Sequence, residues 1–447
     1  MSVTLIVLLL YLLLTFGIAW YFSRRESLEA YFINSRRTGL WLLLFSNVAT
    51  IVGAGFTVGV VAEVFNSGIS YGFALPISAV LGVIFMGLFA GMIKRMGDKY
   101  HAYTIVDFFA HRFDKRSSIL VGILQVFMLI VTLGIQAIAT ATLASVLVGV
   151  DYRLSLLLAA AVTILYTTMG GLKIDIITDF VQFWVITVVF VIMGVVLYRD
   201  VGSLSSLLGR LPVGHLDIFA FGGVSWFVGV IVMAGFITLG NGYHWQRVFS
   251  AVDDRVARKS FFWSVPFMLV LSVLVLFFGL VAAGSLSDIP KESALFVLMS
   301  SKLPSWLTGL GFAAILAVIM SSVDSLIVNG ATILFRAVHK KAVVSSRREV
   351  WHARLFTAGF GVVGYVLAFV VPDIVLLTLF VAYLTIVFIP PIFAGFFASK
   401  VSGRAVFYAL LFGSLVLAAT FVWLPTTSFI FSTLTSVVVT FGFDRVF

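Results

Sequence analysis

Apolar residues run along this chain in long blocks separated by short polar connections. A bilayer core is crossed by about 20 apolar residues as a helix, or by about 9–11 alternating residues as a barrel strand. The blocks here are continuous, which predicts helices. Thirteen spans are expected, at 3–22, 40–65, 70–93, 118–149, 153–169, 174–198, 219–246, 261–284, 306–336, 351–371, 373–398, 404–424 and 427–442. They leave no room for a sizeable soluble domain, so the expected fold class is an all-α integral membrane protein. The first span lacks a basic leader and a small-residue cleavage site and ends in Arg24-Arg25, so it reads as a retained helix and not as a signal peptide.

Composition agrees with the pattern. Of 447 residues, 61% are hydrophobic and 11% are charged, against about 25% charged in an ordinary soluble domain. Charge then orients the spans. With the N-terminus outside, 24 of the 29 Lys and Arg face the cytoplasm, and only Arg153, Arg199, Arg210, Lys291 and Lys302 face out. The net charge of +10 is therefore topology and not a nucleic-acid footprint. The C-terminus falls inside, and the expected location is the cytoplasmic (inner) membrane. There is no cysteine, hence no disulfide framework or thiolate metal site. Six histidines lie mostly in connections, with no H-x-x-x-H pair. No spaced Ser/His or His/Asp set lies within the spans, which speaks against an enzyme.

Three polar features interrupt the oil. In span 306–336, Val318, Ser321, Ser322 and Ser325 follow the i, i+3, i+4, i+7 spacing of one helix face, with Asp324 beside them. A lone serine in a membrane helix is satisfied by the carbonyl four residues back, but an ionised Asp there needs a partner, a cation or water. Asp175, Thr178, Asp179 and Gln182 repeat the spacing in span 174–198. A solvated helix start, favoured by the macrodipole, suits Asp175 and suits Asp179 less. The third feature is Ser46–Gly55 (SNVATIVGAG) in the middle of span 40–65. Its glycines either allow close helix packing or mark a break that exposes carbonyls, tolerated only where the backbone lines a protected cavity. Small hard cations take oxygen ligands, and a break facing the serine stripe would supply them. Sodium is the natural candidate.

Several stretches then carry a family resemblance. Phe32-Ile33-Asn34-Ser35-Arg36-Arg37, Tyr103-Thr104-Ile105-Val106-Asp107-Phe108, Gly170-Gly171-Leu172-Lys173 with Thr178-Asp179 and Gln182, Gln246-Arg247 with Ser250-Ala251, and Ser321-Ser322 stand in the order and spacing of sodium/solute symporters. The chain resembles that family over nearly its whole length. The resemblance implies a leucine-transporter-type fold with discontinuous helices and a 5+5 inverted-repeat core. The repeats would be 40–198 and 219–398, with residues 1–39 and 399–447 peripheral. It implies a sodium site from the backbone oxygens of Ala49, Val52 and Val318 and the hydroxyls of Ser321 and Ser322, with Asp179 nearby. Some members hold a second sodium at positions matching Ser321, Asp324, Ser325 and Asp179. Asp324 stands where they have Ser, so Asp324 and Ser325 are candidates for a second cation or proton.

The same resemblance places candidate substrate contacts at Gly53, Phe56, Ala79, Gly82 and Asn241. Phe56, Ala79 and Gly82 are apolar or small where sugar carriers are polar, which argues against a hexose and toward an amino acid, carboxylate or vitamin. The expected function is sodium-coupled symport of a small organic solute by alternating access. A proton-coupled or uncoupled carrier and a membrane solute sensor are the alternatives. The lipid bilayer and a small solute are the expected partners, with no nucleic acid and no obligatory protein partner.

Overall fold

The computed structural model describes residues 3–23, 27–149, 151–339, 347–370, 375–425 and 427–446. Arg24 and Arg25, counted above toward the cytoplasm, and residues 340–346 of the basic connector lie outside the described residues. The chain is helical throughout: α1 (Val3–Phe22), α2 (Leu28–Ile33), α3 (Leu40–Ile51), α4 (Val60–Ser67), α5 (Ile69–Lys99), α6 (Ile105–Arg112) and α7 (Lys115–Val148). There follow α8 (Tyr152–Val201), α9 (Leu204–Leu208), α10 (Gly223–Ala234), α11 (Ile237–Gly240), α12 (Gly242–Ser250), α13 (Asp254–Ser285) and α14 (Ala294–Lys302). The last six are α15 (Ser305–Val338), α16 (Arg347–Val370), α17 (Val375–Val387), α18 (Ile389–Phe397), α19 (Gly403–Phe421) and α20 (Ser428–Val446). No strand occurs among the described residues.

Nine of the described helices are long and apolar enough to cross a membrane, and α3 with the segment Gly55–Ser67 adds a tenth when that bent pair counts as one span. The exact count of thirteen is not confirmed by the described helices. Spans 153–169 and 174–198 are the two helical arms of α8, parted at Gly171, whose φ of 52° and ψ of −156° lie outside the helical region. Only glycine reaches that conformation without strain, and a Cβ at Gly171 would also strike the carbonyl oxygen of Tyr31. Span 219–246 is cut into α10, α11 and α12, and α10 and α20 are short in their described apolar parts.

The serine stripe fixes which helix is central. In its most apolar window α15 is 94% buried, whereas α1 is 22% buried in its own. A helix that hides all its faces is enclosed by others. α15 packs against α1, α3, α7, α8 and α16, while α13 lies across α3, α4 and α5. α19 and α20 pair with each other at the side of α7, α17 and α18. Pro390 and Pro391 occupy the first turn of α18, directly after α17 ends, so they start a helix instead of kinking one.

Short stitches hold the non-spanning pieces. Thr38 pairs with the end of α12: its amide donates to the Ser250 carbonyl at 2.9 Å and its carbonyl accepts from Val252 at 3.0 Å. α6 opens with a capping box from Thr104 and Asp107. Arg336 of α15 donates to the same Asp107 through two nitrogens at 3.0 and 3.1 Å. Gln246 donates to the Phe32 carbonyl at 2.7 Å and to Thr332 at 2.9 Å. The stretches that carried the family resemblance thus join α2, α6, α12 and α15.

Candidate functional site

α3 stops at Ile51, and Val52 leaves the helical region (φ −79°, ψ 55°). The chain resumes as a wide turn at Gly55–Gly59 and then α4, bent by 50° from α3. The glycine pair therefore marks an interruption and not merely a packing face. Behind it stands α15. Ser321 Oγ lies 2.8 Å from the Ala49 carbonyl oxygen and 2.9 Å from that of Val318. Ser322 Oγ lies 3.0 Å from the Thr50 carbonyl oxygen and 3.4 Å from Val318. A Cβ at Gly53 would collide with Ser322 Oγ, so the absent side chain is what admits the hydroxyl to the break.

Of the residues expected at a cation, Ala49, Val318, Ser321 and Ser322 converge. Val52 is fully buried at the bend. Thr50, which the sequence reading did not assign, supplies the carbonyl facing Ser322. Asp179 stands one layer away. Its Oδ2 accepts from Ser46 Oγ at 2.6 Å and Thr50 Oγ1 at 3.3 Å, so Thr50 bridges Asp179 to the serine pair.

Asp324 and Ser325, adjacent in sequence, face different neighbours. Asp324 Oδ1 accepts the Thr167 hydroxyl, and its Oδ2 has no hydrogen-bond partner. Ser325 Oγ meets Arg247 Nη2 at 2.6 Å, the Ser321 carbonyl at 2.8 Å and Asp175 Oδ2 at 3.2 Å. Asp175 stands four residues past the break at Gly171, at the start of the second arm of α8, but it is not solvated: it is 2% exposed and pairs with Arg247 at 3.1 Å. Arg247 is the residue the sequence reading missed. It stood in a motif beside a basic connection, and no periodicity marks it as buried, yet the structure encloses it fully.

Two cavities share walls at the break. One of about 140 Å³ is lined by Thr50, Gly53, Gly55, Gln136 and Ser322 among others, and so reaches one member of the serine pair. The next, of about 260 Å³, is lined by Phe56, Ala79 and aliphatic residues of α5, α7, α11 and α17, and by the neutral polar residues Ser78, Thr132, Thr238, Asn241, Tyr243, His244 and Thr385. No Asp, Glu, Lys or Arg lines either one. Gly53, Phe56, Ala79 and Asn241 thus reach these cavities. Gly82 lies off the lining, one turn along α5, where its missing side chain makes room for Thr238. Gln136 and Thr132 on α7 went unassigned, although with Thr140 they recur every four residues along one face of that helix; Gln136 Oε1 accepts the Ala54 amide at 3.2 Å, inside the break.

The model of the sodium:solute symporter family matches residues 31–413. The chain belongs to that family. The symporter is 27% identical to the osmoregulated proline transporter of Bacillus subtilis over 82% of its own length and 78% of the relative's. It is 24% identical to the sodium/pantothenate symporter of Escherichia coli, over 92% and 89% of the two chains. A solved substrate-bound, outward-open sodium-coupled sialic acid symporter superposes with a TM-score of 0.87 at 16% identity, covering 100% of this chain and 98% of that one. Fold and family agree on a multi-pass membrane carrier, not an enzyme, that couples sodium to the symport of a small solute.

Proposed function

We propose that sodium binds where the α3 break meets α15, held by Ala49, Val52 and Val318 carbonyls and the Ser321 and Ser322 hydroxyls, with Asp179 behind Thr50. One observation carries the reading. Ser321 Oγ, Ser322 Oγ and the Ala49, Thr50 and Val318 carbonyls form a group of five buried oxygens that holds only two hydroxyl hydrogens. The Ala49 and Thr50 carbonyls stand at the end of α3 and lack the N–H of a following turn, so outside the hydroxyls they have no protein donor. Such released carbonyls beside hydroxyls are the oxygen ligands a small hard cation takes.

The solute would occupy the adjoining cavities, with Gly53, Phe56, Ala79 and Asn241 in contact and Gly82 supporting the wall. A lining that mixes apolar side chains with neutral hydroxyl, amide and imidazole groups suits a small solute with an apolar body and a few hydrogen-bonding groups. An amino acid, a carboxylate or a vitamin suits it, and relatives named for proline and pantothenate support that range. Sodium at the break would draw α3 and α15 together and complete the solute cavity on one side. Rocking of the helices would then open the other side. The driving force is the sodium gradient plus the membrane potential, worth about 2.3 kcal/mol per charge per 100 mV.

The two repeats of this motion would be residues 40–198 and 219–398, flanked by peripheral residues 1–39 and 399–447. The chain would lie in the cytoplasmic membrane with its N-terminus outside, as the lysine and arginine bias favours. The test is a thermal-shift screen of purified protein against amino acids, carboxylates, vitamins and sugars, in sodium and in potassium. A ligand that binds the native state raises the melting temperature. A hit that needs sodium supports the reading, whereas a hit indifferent to the cation, or one seen only with hexoses, removes it.

A further inference from the structure

Away from the break, where α7 and α19 begin, two arginines share a cavity of about 740 Å³. Arg116, Arg404, Asp114, Asp444, Tyr408 and Phe443 are among its walls. These walls are sewn together. Ser117 Oγ of α7 donates to the Gly403 carbonyl at 2.8 Å, and a Cβ at Gly403 would strike Asp114 Oδ2, so the glycine lets the two helix starts touch. Asp114 caps α7 by accepting the Ser117 amide at 2.7 Å. Asp444, near the end of α20, accepts the amide and the hydroxyl of Ser402, the N-cap of α19, at 2.6 and 2.5 Å. Tyr408 stacks on Phe443 with ring centroids 5.2 Å apart.

The carboxylates are thus held by amides and a hydroxyl and not by the arginines. Arg116 and Arg404 are exposed, and among the described residues neither has an ion-pair or hydrogen-bond partner. Each also heads a stripe of exposed apolar side chains. Ile119, Ile123 and Phe127 follow Arg116 along α7 at helical spacing, and Phe412 and Leu415 follow Arg404 and Tyr408 along α19. Both arginines stand at the ends of membrane spans, the level at which basic pockets between helices meet lipid head groups. A phosphate answers the unpaired guanidinium groups. A primary ammonium, with three N–H donors, answers the lone pairs left on the two carboxylates.

We propose that this cavity is a specific site for a phospholipid whose head group joins a phosphate to a primary ammonium, as in an ethanolamine lipid. The phosphate lies on Arg116 and Arg404, the ammonium on Asp114 and Asp444, and the acyl chains along the two stripes. A choline head group has no N–H to donate, and a glycerol head group brings no positive charge. The lipid braces the start of α7 against α19, and α7 is the helix that carries Thr132 and Gln136 to the cavities at the break.

The experiment counts lipid. The purified full chain, stripped of lipid in detergent, is offered ethanolamine, choline and glycerol phospholipids with identical acyl chains, and bound lipid is followed by native mass spectrometry. One ethanolamine lipid is expected to bind at least about tenfold more tightly than either of the others. Arg116→Gln combined with Arg404→Gln is expected to abolish that preference, and both side chains are exposed, so the variant folds. Asp114→Asn combined with Asp444→Asn keeps an accepting oxygen at each position and is expected to move the preference to the glycerol lipid. Equal binding of the three lipids, or an arginine double variant that binds like the wild type, overturns the proposal, because lipid gathered around any membrane protein gives that result. A wild type that prefers the glycerol lipid has a plain anion site, and one that prefers the choline lipid does not use the carboxylates as donors' partners; either overturns it too. Displacement of the lipid by an equal concentration of chain-free phosphoethanolamine assigns the cavity to a soluble phosphate compound and overturns the lipid.

Discussion

The hydroxyl of Ser321 lies 2.8 Å from the main-chain oxygen of Ala49, joining the stripe of α15 to the last turn of α3 before its break. Loss of a buried polar contact costs about 1–3 kcal/mol, which is about 5- to 150-fold in affinity. Ser321→Ala and Ser322→Ala are each expected to weaken sodium binding by that range and leave the protein folded. A sodium titration followed by melting temperature checks it. An unchanged midpoint in both variants would remove the serines from the cation site.

Gly53 and Gly55 form a matched pair. A methyl group at Gly53 would collide with Ser322 Oγ, whereas one at Gly55 meets nothing within 4 Å. Gly53→Ala is expected to abolish sodium-dependent stabilisation, and Gly55→Ala to retain it. Equal behaviour of the two would mean that the gap at Ser322 does not matter.

Thr50 and Asp179 share a hydrogen bond between α3 and α8 at 3.3 Å. Residues in one network couple by about 0.5–3 kcal/mol. A double-mutant cycle of Thr50→Val and Asp179→Asn, read as sodium affinity, is expected to give a coupling in that range. Additive effects would disconnect the carboxylate from the serine pair.

Ala79 faces the 260 Å³ cavity, whose lining does not include Ser321 or Ser322. Ala79→Phe fills that space and is expected to raise KM for the solute at least about tenfold by overpacking, while sodium still stabilises the protein. Parallel loss of both responses would place the cavity elsewhere.

The absence of cysteine makes every introduced thiol a clean reporter. Val213 and Val252 are both exposed. With the N-terminus outside, Val213→Cys is expected to react with a membrane-impermeant maleimide in intact cells, and Val252→Cys only after permeabilisation. The reverse pattern would invert the topology.

The apolar blocks and the spacing of Ser321, Ser322 and Ser325 made the central helix and its facing break legible from sequence, because helix period and glycine freedom are local properties. Arg247 was not legible. Its burial depends on Asp175 and Asp179, 72 and 68 residues earlier, and no local pattern reports such a partner. Gln136 and Thr132 differ from it, since with Thr140 they repeat every four residues on one face of α7, a signal the sequence does carry. The divergence of Asp324 and Ser325 is simple helical geometry, since neighbours in sequence point about 100° apart; which one meets Arg247 depends on how α8 folds around them. Breaking the buried Arg247 pairs from one side is expected to cost about 3–5 kcal/mol of stability, so a urea titration of Asp179→Asn against wild type should register a large loss.

The kink at Gly171 leaves α8 with two arms set at a fixed corner, wedged by the carbonyl of Tyr31. The first arm grips α15 through Thr167 at Asp324, and the second grips it through Asp175 at Ser325. α8 therefore clasps the central helix like a pair of tongs hinged at a glycine, so that displacing either limb strains a side-chain bond to α15.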